Sequence, residues 1–437
     1  MTELKKITLT LDGNRKIGHC LIKNTSSYQN QIVSKKSNIY QPANREMTIA
    51  VIKLIGEAKE VICISSFIIQ DSEIIAEIEK AANRGVKVYL LTAAEKQVDS
   101  PYEDDNANLK DRKEASRDLL IRLGKKALIK TSQHLHSKFI LIDPRKFPKG
   151  FLFTNNLTVR AMNENIELGV KLEESEVSEL FHQFLIGFWL EAEREIWLEG
   201  NESKLRDVKK HPEFITTNLE PKKVVWTVSN QSLIKQNLLQ ILGPAKTSIS
   251  ISAWTFDSNH EISKLLIDKA KEGVKLTIFT RPHHANQDFM RQAIKVGAEI
   301  YAHNLLHAKS VLVDDSIGMI MTANISSRGL DTGFETAIKL NSEETNALKD
   351  IHSEWKKRSE FILLRDAWLK DLSVPYYDLS QKMELKEPPR EETKRDGGKY
   401  TAKNMEEFKE GKVDTGNLVP DPNALITIYN ITLFPPK

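Results

Sequence analysis

The sequence predicts an α/β protein of two tandem lobes, each a mixed β-sheet flanked by helices, with the lobes related by a pseudo-twofold axis. Three observations lead to this prediction. The chain has 437 residues, which is too long for one ordinary domain. A strand–helix–strand pattern occurs twice along it, and the same polar motif follows that pattern in both halves.

The repeated unit begins with a short β-prone run, at residues 58–67 in the first copy and 245–254 in the second. A helical pattern follows and ends at Gly85 or Gly273, the residue type favoured just beyond a helix C-terminus. A second β-prone run starts directly after each glycine. Such β-α-β units predict parallel strands with helices on the faces of the sheet.

Other helices flank each unit. One precedes the first strand of each copy, at residues 45–57 and 232–242. A tryptophan-bearing helix closes each copy, around Trp189 and Trp355. In the first copy this helix is predicted to run from Leu180 to Trp197, because the stretch is the most apolar helix candidate in the chain.

These patterns place the first lobe at residues 37–200 and the second at residues 222–365. Three parts fall outside the repeat: an N-terminal extension at 1–36, a charged insertion at 94–117 and a polar C-terminal tail at 373–437. We expect the insertion and much of the tail to be solvated loop or disorder. The extension contains a strand-like run at 6–11, and the tail regains β-prone residues at 424–434, which are expected to dock as a strand.

Composition excludes little. Lys and Arg number 63 and Asp and Glu 60, so the net charge of +3 neither demands a nucleic-acid partner nor rules one out. Two cysteines do not form a disulfide framework, which favours a reducing compartment. The polar N-terminus and the absence of a long apolar run predict a cytoplasmic protein without integral membrane association.

Each half contains the pattern His-x-Lys-x4-Asp, then Thr-x-Asn, then a glutamate 11 residues beyond the asparagine. The two sets are His136, Lys138, Asp143, Asn156 and Glu167, and His307, Lys309, Asp314, Asn324 and Glu335. On a strand, a His and a Lys two positions apart point to the same face and can meet one ligand. The apolar residues that follow predict a central, buried strand that carries this pair rigidly.

This constellation resembles the phospholipase D superfamily, and the resemblance covers most of residues 40–360. It implies two phospholipase D-like lobes whose motifs meet at one shared site. It also implies a phosphodiesterase that works through a covalent phosphohistidine. The sequence leaves open which histidine attacks phosphorus. The resemblance favours His136 as the nucleophile, with His307 protonating the leaving oxygen and then activating water. A neutral imidazole suits both tasks near physiological pH.

The resemblance also implies roles for the remaining motif residues. Lys138 and Lys309 supply positive charge to the phosphoryl oxygens, to which the amides of Asn156 and Asn324 donate hydrogen bonds. The two glutamates accept a hydrogen bond from a histidine Nδ1, as an acid does in other triads. The two aspartates are expected to be more structural than catalytic.

No cofactor and no metal ion are expected. Two lysines and two histidines can neutralise a phosphoryl transition state, so activity is predicted to be metal-independent. His283 and His284 follow Arg281 and suggest a metal site, but no cysteine or carboxylate cluster completes a ligand set. A substrate-contacting loop is the favoured interpretation of this segment.

Three functions remain open. The favoured one is a nuclease acting on DNA or RNA, with defence against foreign nucleic acid as its role. A partner protein that presents the substrate is also considered. The alternative is a phospholipid hydrolase or a cardiolipin-synthase-like phosphatidyltransferase, which the lack of a membrane anchor or basic amphipathic helix disfavours. A non-catalytic scaffold is disfavoured by the two complete motifs. The nuclease hypothesis places Arg281, Arg291 and Lys125 near the cleft mouth.

Overall fold

The computed structural model describes residues 6–11, 15–22, 38–93, 122–199, 202–212, 221–228, 231–281, 284–303, 305–358, 361–364, 377–378 and 425–428. Within these residues the protein is α/β, with two nine-stranded mixed sheets in tandem. This architecture confirms the predicted fold class. The charged insertion at 94–117 and most of the C-terminal tail lie outside the described residues.

Two N-terminal strands precede the first lobe, and β1 and β2 pair antiparallel. In chain order the elements are β1 (Lys6–Leu11), β2 (Arg15–Ile22), β3 (Ile39–Tyr40), α1 (Glu46–Glu57), β4 (Val61–Ser65), α2 (Ser72–Asn83), β5 (Lys87–Thr92), β6 (Ala127–Thr131), β7 (Phe139–Ile142), β8 (Lys149–Phe153), α3 (Val159–Asn163), β9 (Gly169–Leu172), α4 (Glu174–Ile186), a π-helical turn (Gly187–Glu191), β10 (Arg194–Glu199) and β11 (Glu202–Asp207). The sheet order is β11-β10-β6-β5-β4-β7-β8-β9-β3.

The second lobe repeats this plan. Its elements are β12 (Val224–Val228), β13 (Gln231–Ser232), α5 (Leu233–Leu242), β14 (Ser248–Ser252), α6 (Glu261–Lys271), β15 (Lys275–Thr280), a 3-10 turn (His284–Asn286), α7 (Gln287–Lys295), β16 (Glu299–Ala302), β17 (Ser310–Val313), β18 (Ile317–Met321), a π-helical turn (Arg328–Thr332), β19 (Glu335–Lys339), α8 (Ser342–Lys357) and β20 (Ile362–Leu363). The sheet order is β13-β12-β19-β18-β17-β14-β15-β16-β20.

Six central strands follow the same order in both sheets, β6-β5-β4-β7-β8-β9 and β16-β15-β14-β17-β18-β19. In each sheet the first strand of the repeat pairs in parallel with the second and antiparallel with the strand that follows the His-x-Lys pair. Gly85 and Gly273 both have φ of 94°, a left-handed conformation that glycine adopts without steric cost. The predicted helix ends therefore lie where the sequence repeat placed them.

The two sheets share a hydrophobic core. Each lobe has an outer core of its own, built around α1 and α2 or around α5, α6 and α7. A third cluster joins Phe184 and Phe188 of the first lobe to Trp226, Phe334 and Trp355 of the second. Complete burial of one phenylalanine side chain contributes about 2–3 kcal/mol. This shared core holds the two motif-bearing strands in a fixed relation.

The long helix predicted from Leu180 to Trp197 is wrong. The helix α4 begins at Glu174, passes into the π-helical turn and ends there, and residues Arg194–Glu199 form the strand β10. The charged residues between Glu191 and Glu195 interrupt the apolar helical pattern at this point, and Glu195 pairs with Lys130 of the neighbouring strand β6. At the C-terminus, β21 (Tyr377–Asp378) and β22 (Leu425–Ile428) complete a small sheet, in which β22 pairs in parallel with β2.

Candidate active site

The His-x-Lys pairs lie immediately ahead of the strands, and the prediction that they belong to them is wrong. The strands begin at Phe139 and Ser310, one residue beyond Lys138 and Lys309. The carbonyls of Lys138 and Lys309 still accept from amides of their own sheets, whereas the backbone just ahead of these lysines pairs with the other lobe.

This exchange of backbone contacts is reciprocal. Leu135 forms an isolated β-bridge with Phe334, and Leu306 forms one with Ile166. The amide of His136 donates to the carbonyl of Phe334 at 2.9 Å, and the amide of His307 donates to the carbonyl of Ile166 at 2.9 Å. Because Phe334 and Ile166 directly precede Glu335 and Glu167, each motif loop receives the glutamate of the opposite lobe.

The histidine–glutamate pairs are therefore crossed between the lobes. His136 Nδ1 lies 2.7 Å from Glu335 Oε1, and His307 Nδ1 lies 2.7 Å from Glu167 Oε1. Both carboxylates are buried, with side-chain exposures of 3% and 0%, whereas the imidazoles keep 21% and 18%. The sequence predicted that these glutamates accept from a histidine, but spacing along the chain does not tell which lobe supplies the partner.

Two threonines that were not among the predicted site residues complete the carboxylate sites. Thr154 Oγ1 donates to Glu167 Oε2 at 2.6 Å and accepts from the Leu168 amide at 2.9 Å. Thr322 Oγ1 makes the same bond to Glu335. The signal was present, because both threonines begin the Thr-x-Asn pattern.

The electrostatics keep each glutamate ionised and each imidazole neutral. Burial acts to raise the pKa of Glu167 and Glu335, but their histidine and lysine neighbours and the threonine hydroxyls outweigh it and leave the pKa lowered. Burial lowers the pKa of His136 to about 4 and of His307 to about 3, against the opposing effect of the paired glutamate. An ionised carboxylate only accepts, so the proton is on Nδ1 and the lone pair on Nε2.

Both motif lysines are fully buried. Each ammonium donates to the carbonyl of its own histidine, and for Lys309 and His307 that distance is 2.6 Å. Burial lowers the pKa of Lys138 to about 7 and of Lys309 to about 8, although the glutamates oppose the shift. A buried ammonium is stabilised by a nearby anion, so this pair favours a negatively charged ligand.

The two asparagines follow the strands β8 and β18 and are half-buried. The side-chain oxygens of Asn156 and Asn324 are buried without a hydrogen-bond partner among the described residues. Orphaned buried polar groups are rare in folded proteins and are more common where a ligand binds. Their predicted role as amide donors to a substrate stays a prediction.

The two motif aspartates lie at the far ends of their strands from the imidazoles. Asp143 accepts from the amides of Lys59, Glu60 and Val61 at 2.7–2.9 Å. Asp314 accepts in the same way from the amides of residues 246–248. Burial alone would raise the pKa of Asp314, but these hydrogen bonds lower it strongly. This geometry assigns both aspartates a structural task, the joining of two adjacent strands.

An aromatic ring lies beside each imidazole. The ring centroid of Phe67 is 5.8 Å from that of His136, and the ring centroid of Trp254 is 6.1 Å from that of His307. These rings occupy equivalent positions of the sequence repeat. The cations around the site are less symmetric, because Arg281 Nε donates to the Leu306 carbonyl at 2.7 Å, whereas Ala93 occupies the equivalent position in the first lobe.

No group of three or more His, Cys, Asp or Glu side chains among the described residues is arranged to hold a metal ion. His283, which suggested a metal site, lies outside the described residues. None of the helices within the described ranges is both long and apolar enough to cross a membrane.

Comparison with known proteins identifies the family. Residues 51–189 and 238–357, more than half of the chain, match the family model described as cardiolipin synthase, phospholipase D-like domain. Cardiolipin synthase 1 of Bacillus anthracis is 31% identical over 143 residues, which cover 30% of this chain and 28% of that protein. A cardiolipin synthase of Clostridium perfringens is 26% identical over 320 residues, covering 66% of this chain and 63% of the relative. The chain thus spans about a third of the first curated relatives it matches.

A solved structure shares the fold. Phosphatidylserine synthase from Haemophilus influenzae superposes with a TM-score of 0.54 and 12% identity, over 75% of this chain and 87% of that one. At this level of identity the likeness supports the fold alone.

Proposed function

This chain belongs to the phospholipase D superfamily, and from that premise we propose that it is a cardiolipin-synthase-like phosphatidyltransferase acting on phospholipid phosphodiesters. One observation carries the chemical part of the proposal. The crossed His136–Glu335 and His307–Glu167 pairs give each imidazole a buried carboxylate on Nδ1 and leave Nε2 as its reactive atom. Two such imidazoles at one lobe junction match the needs of a two-step displacement at phosphorus.

In the first step the neutral Nε2 of one imidazole attacks phosphorus, and a P–N bond forms as the bond to the leaving alcohol oxygen breaks. The other histidine, protonated on Nε2, gives its proton to that oxygen. His136 is the proposed nucleophile, as the family resemblance favours, and His307 the proposed acid. Protonation of His307 requires the negative charge of a bound phosphodiester, because burial lowers its pKa in the free protein.

In the second step an acceptor hydroxyl attacks phosphorus and the P–N bond breaks. The acceptor proton passes to the histidine that acted as the acid, which restores the starting state. Water as acceptor gives hydrolysis, and an alcohol group of a second lipid gives transfer. The same residues serve both outcomes, so the acceptor decides whether the enzyme is a hydrolase or a transferase.

The lysines stabilise the charge that develops on the phosphoryl oxygens. Lys138 and Lys309 are fixed by hydrogen bonds to backbone carbonyls and are fully buried, so they need little reorganisation when substrate arrives. Preorganised donors in a water-poor site contribute about 3–4 kcal/mol each in comparable enzymes. This supply of positive charge supports a reaction that proceeds without a metal ion.

A phospholipid is preferred over nucleic acid because the family model and the curated relatives carry cardiolipin synthase names. The nuclease interpretation favoured by the sequence argument gains no support from these relatives. That preference rested on elimination, and a net charge of +3 could not decide between two polyanionic substrates.

The test incubates purified protein, without added metal, with phosphatidylglycerol in mixed micelles and separately with single- and double-stranded DNA and RNA. We expect diphosphatidylglycerol and glycerol, or phosphatidic acid when water is the acceptor, identified by mass spectrometry. The variant with both histidines replaced by alanine is the control for contaminating activity. Cleavage of a nucleic acid with the lipid left intact would overturn the proposal.

A further inference from the structure

The two halves of the site are nearly equivalent, but the residues behind them differ. Behind His136, three buried polar side chains form a chain of hydrogen bonds. Thr336 Oγ1 donates to Gln183 Oε1 at 2.8 Å and lies 2.5 Å from Ser137 Oγ. Gln183 Nε2 donates to the carbonyl of Glu335 at 3.0 Å. All three polar side chains are fully buried.

The donors in this network are fixed by elimination. Because the amide nitrogen of Gln183 faces a carbonyl, its oxygen must accept, so Thr336 donates to it. Thr336 has one hydroxyl proton, and Ser137 must therefore donate to Thr336. The network thus runs in one direction, from the residue between His136 and Lys138 to the helix α4.

The equivalent positions behind His307 are apolar. Ala308 corresponds to Ser137, Leu168 to Thr336 and Ile351 to Gln183, since Glu176 and Glu344 occupy the same position in the capping boxes of α4 and α8. Ala308, Leu168 and Ile351 belong to the core shared by the two lobes. The hydrogen-bond network behind the His136–Glu335 pair therefore has apolar side chains at the three equivalent positions behind the His307–Glu167 pair.

We propose that Gln183 is a positioning residue that holds Glu335 against His136 and makes the two halves of the site chemically unequal. Gln183 belongs to the first lobe and donates to the backbone carbonyl of Glu335 in the second lobe. It therefore fixes the residue whose carboxylate accepts from His136 of the first lobe. Besides burial, the charged groups that shift the pKa of His136 are Glu335, Lys138 and Lys309. Only Glu335 among them is bonded to Gln183, so the residue acts through that glutamate. The inference rests on the proposed function in that it assumes this pair takes part in catalysis.

Three variants separate positioning from packing. Gln183→Ile alone removes the acceptor of the Thr336 hydroxyl proton and the side-chain donor to the Glu335 carbonyl. The triple variant Ser137→Ala, Thr336→Leu and Gln183→Ile reproduces the apolar set that packs behind His307. Removing one member of a buried hydrogen-bond network lowers stability, because its partners stay buried without a bond. Replacing all members by apolar residues of matching shape avoids that loss. Ile351→Val shortens the side chain at the position of the second lobe that corresponds to Gln183, and it is the matched control.

The measurements are the thermal midpoint, the NMR titration of His136 and His307, and turnover of bis(p-nitrophenyl) phosphate. This generic substrate and the titration are independent of lipid specificity, so a failure of the lipid proposal leaves the test intact. We expect Gln183→Ile to lower the midpoint and the His136 pKa, with His307 unchanged. The triple variant should recover most of the midpoint yet keep the lowered His136 pKa and a kcat reduced about tenfold at similar KM. The Ile351→Val control should leave the titration of both histidines as in the wild type.

Recovery of both the His136 titration and kcat in the triple variant would overturn the proposal, because the network would then only fill space. Equal shifts of His136 and His307 would also overturn it. If the triple variant does not fold, the test is the titration of His136 in Gln183→Ile, recorded well below the thermal midpoint of that variant. His307 is then the internal reference. An unchanged His136 titration there would refute the positioning role.

Discussion

Glu335 accepts the Nδ1 hydrogen bond of His136 at 2.7 Å although the two residues are 199 positions apart in the chain. Glu167 and His307 form the mirror pair across 140 positions. Each lobe therefore lacks the carboxylate that its own histidine uses. Each histidine–glutamate pair is thus built from both halves of the duplicated motif.

The crossing predicts which histidine each glutamate controls. Glu335→Gln should change the NMR titration of His136 and leave that of His307 as in the wild type, and Glu167→Gln should do the reverse. Both variants should lose about 100-fold or more in kcat, because the amide no longer fixes the productive tautomer. A Glu335→Gln variant that shifts His307 alone would contradict the crossed arrangement.

The motif aspartates are predicted to matter for stability and not for chemistry. Asp314→Ala removes the acceptor for three backbone amides at a positive-φ position and should lower the unfolding free energy by about 3 kcal/mol. Asp314→Asn, which tolerates that backbone conformation, is the matched milder change. Urea unfolding measures the loss. A variant that is fully folded yet inactive would show that the aspartate has a part in catalysis.

The buried lysines predict a trade between stability and activity. Lys138→Met removes a buried charge, so the variant should be at least as stable as the wild type at neutral pH while kcat falls about 1,000-fold. The pKa of Lys138 is lowered from 10.5 to about 7, so between these values the unfolded chain binds a proton that the folded protein releases. Its contribution to wild-type stability therefore increases as pH rises through this window, and Lys138→Met should lack that contribution. If the unfolding free energies of the wild type and Lys138→Met changed equally with pH, the lowered pKa of Lys138 would be refuted.

Activity is expected to survive EDTA. Two preorganised ammonium groups supply the charge that a divalent ion supplies in other phosphoryl-transfer sites. Turnover is measured before and after exhaustive chelation, with a zinc-dependent phosphodiesterase as the chelation control. Loss of turnover that a divalent ion restores would show that a metal takes part.

The sequence was sufficient to locate the motif residues because the repeat carries them in register. The helix-ending glycines Gly85 and Gly273 and the parallel strands were also predictable, since both depend on local conformation. The crossing of Glu167 and Glu335 was not, because spacing within one lobe does not determine contacts between lobes. The placement of Lys138 on a strand failed for the same reason, as the loop ahead of β7 pairs with Phe334 of the other lobe.

The hydrogen-bond network of Ser137, Thr336 and Gln183 could not be predicted from the sequence either. An isolated glutamine such as Gln183 in an amphipathic helix is typical of a solvent-exposed position, but in the fold it is fully buried and bonds to Glu335 and Thr336 of β19. The substrate class was the weakest prediction, because the same two-histidine chemistry serves nucleic acid and lipid.

The most direct test of the central claim is to trap the covalent intermediate on phosphatidylglycerol in the His136→Ala and His307→Ala variants. Acid-labile adducts are mapped by mass spectrometry after a rapid quench. A single shared site with a nucleophile and an acid predicts a phosphatidyl adduct in His307→Ala alone, on His136, with steady turnover abolished in both variants. An adduct in His136→Ala, on His307, would reverse the two roles. Full turnover in either variant, or no histidine adduct in both, would contradict the account.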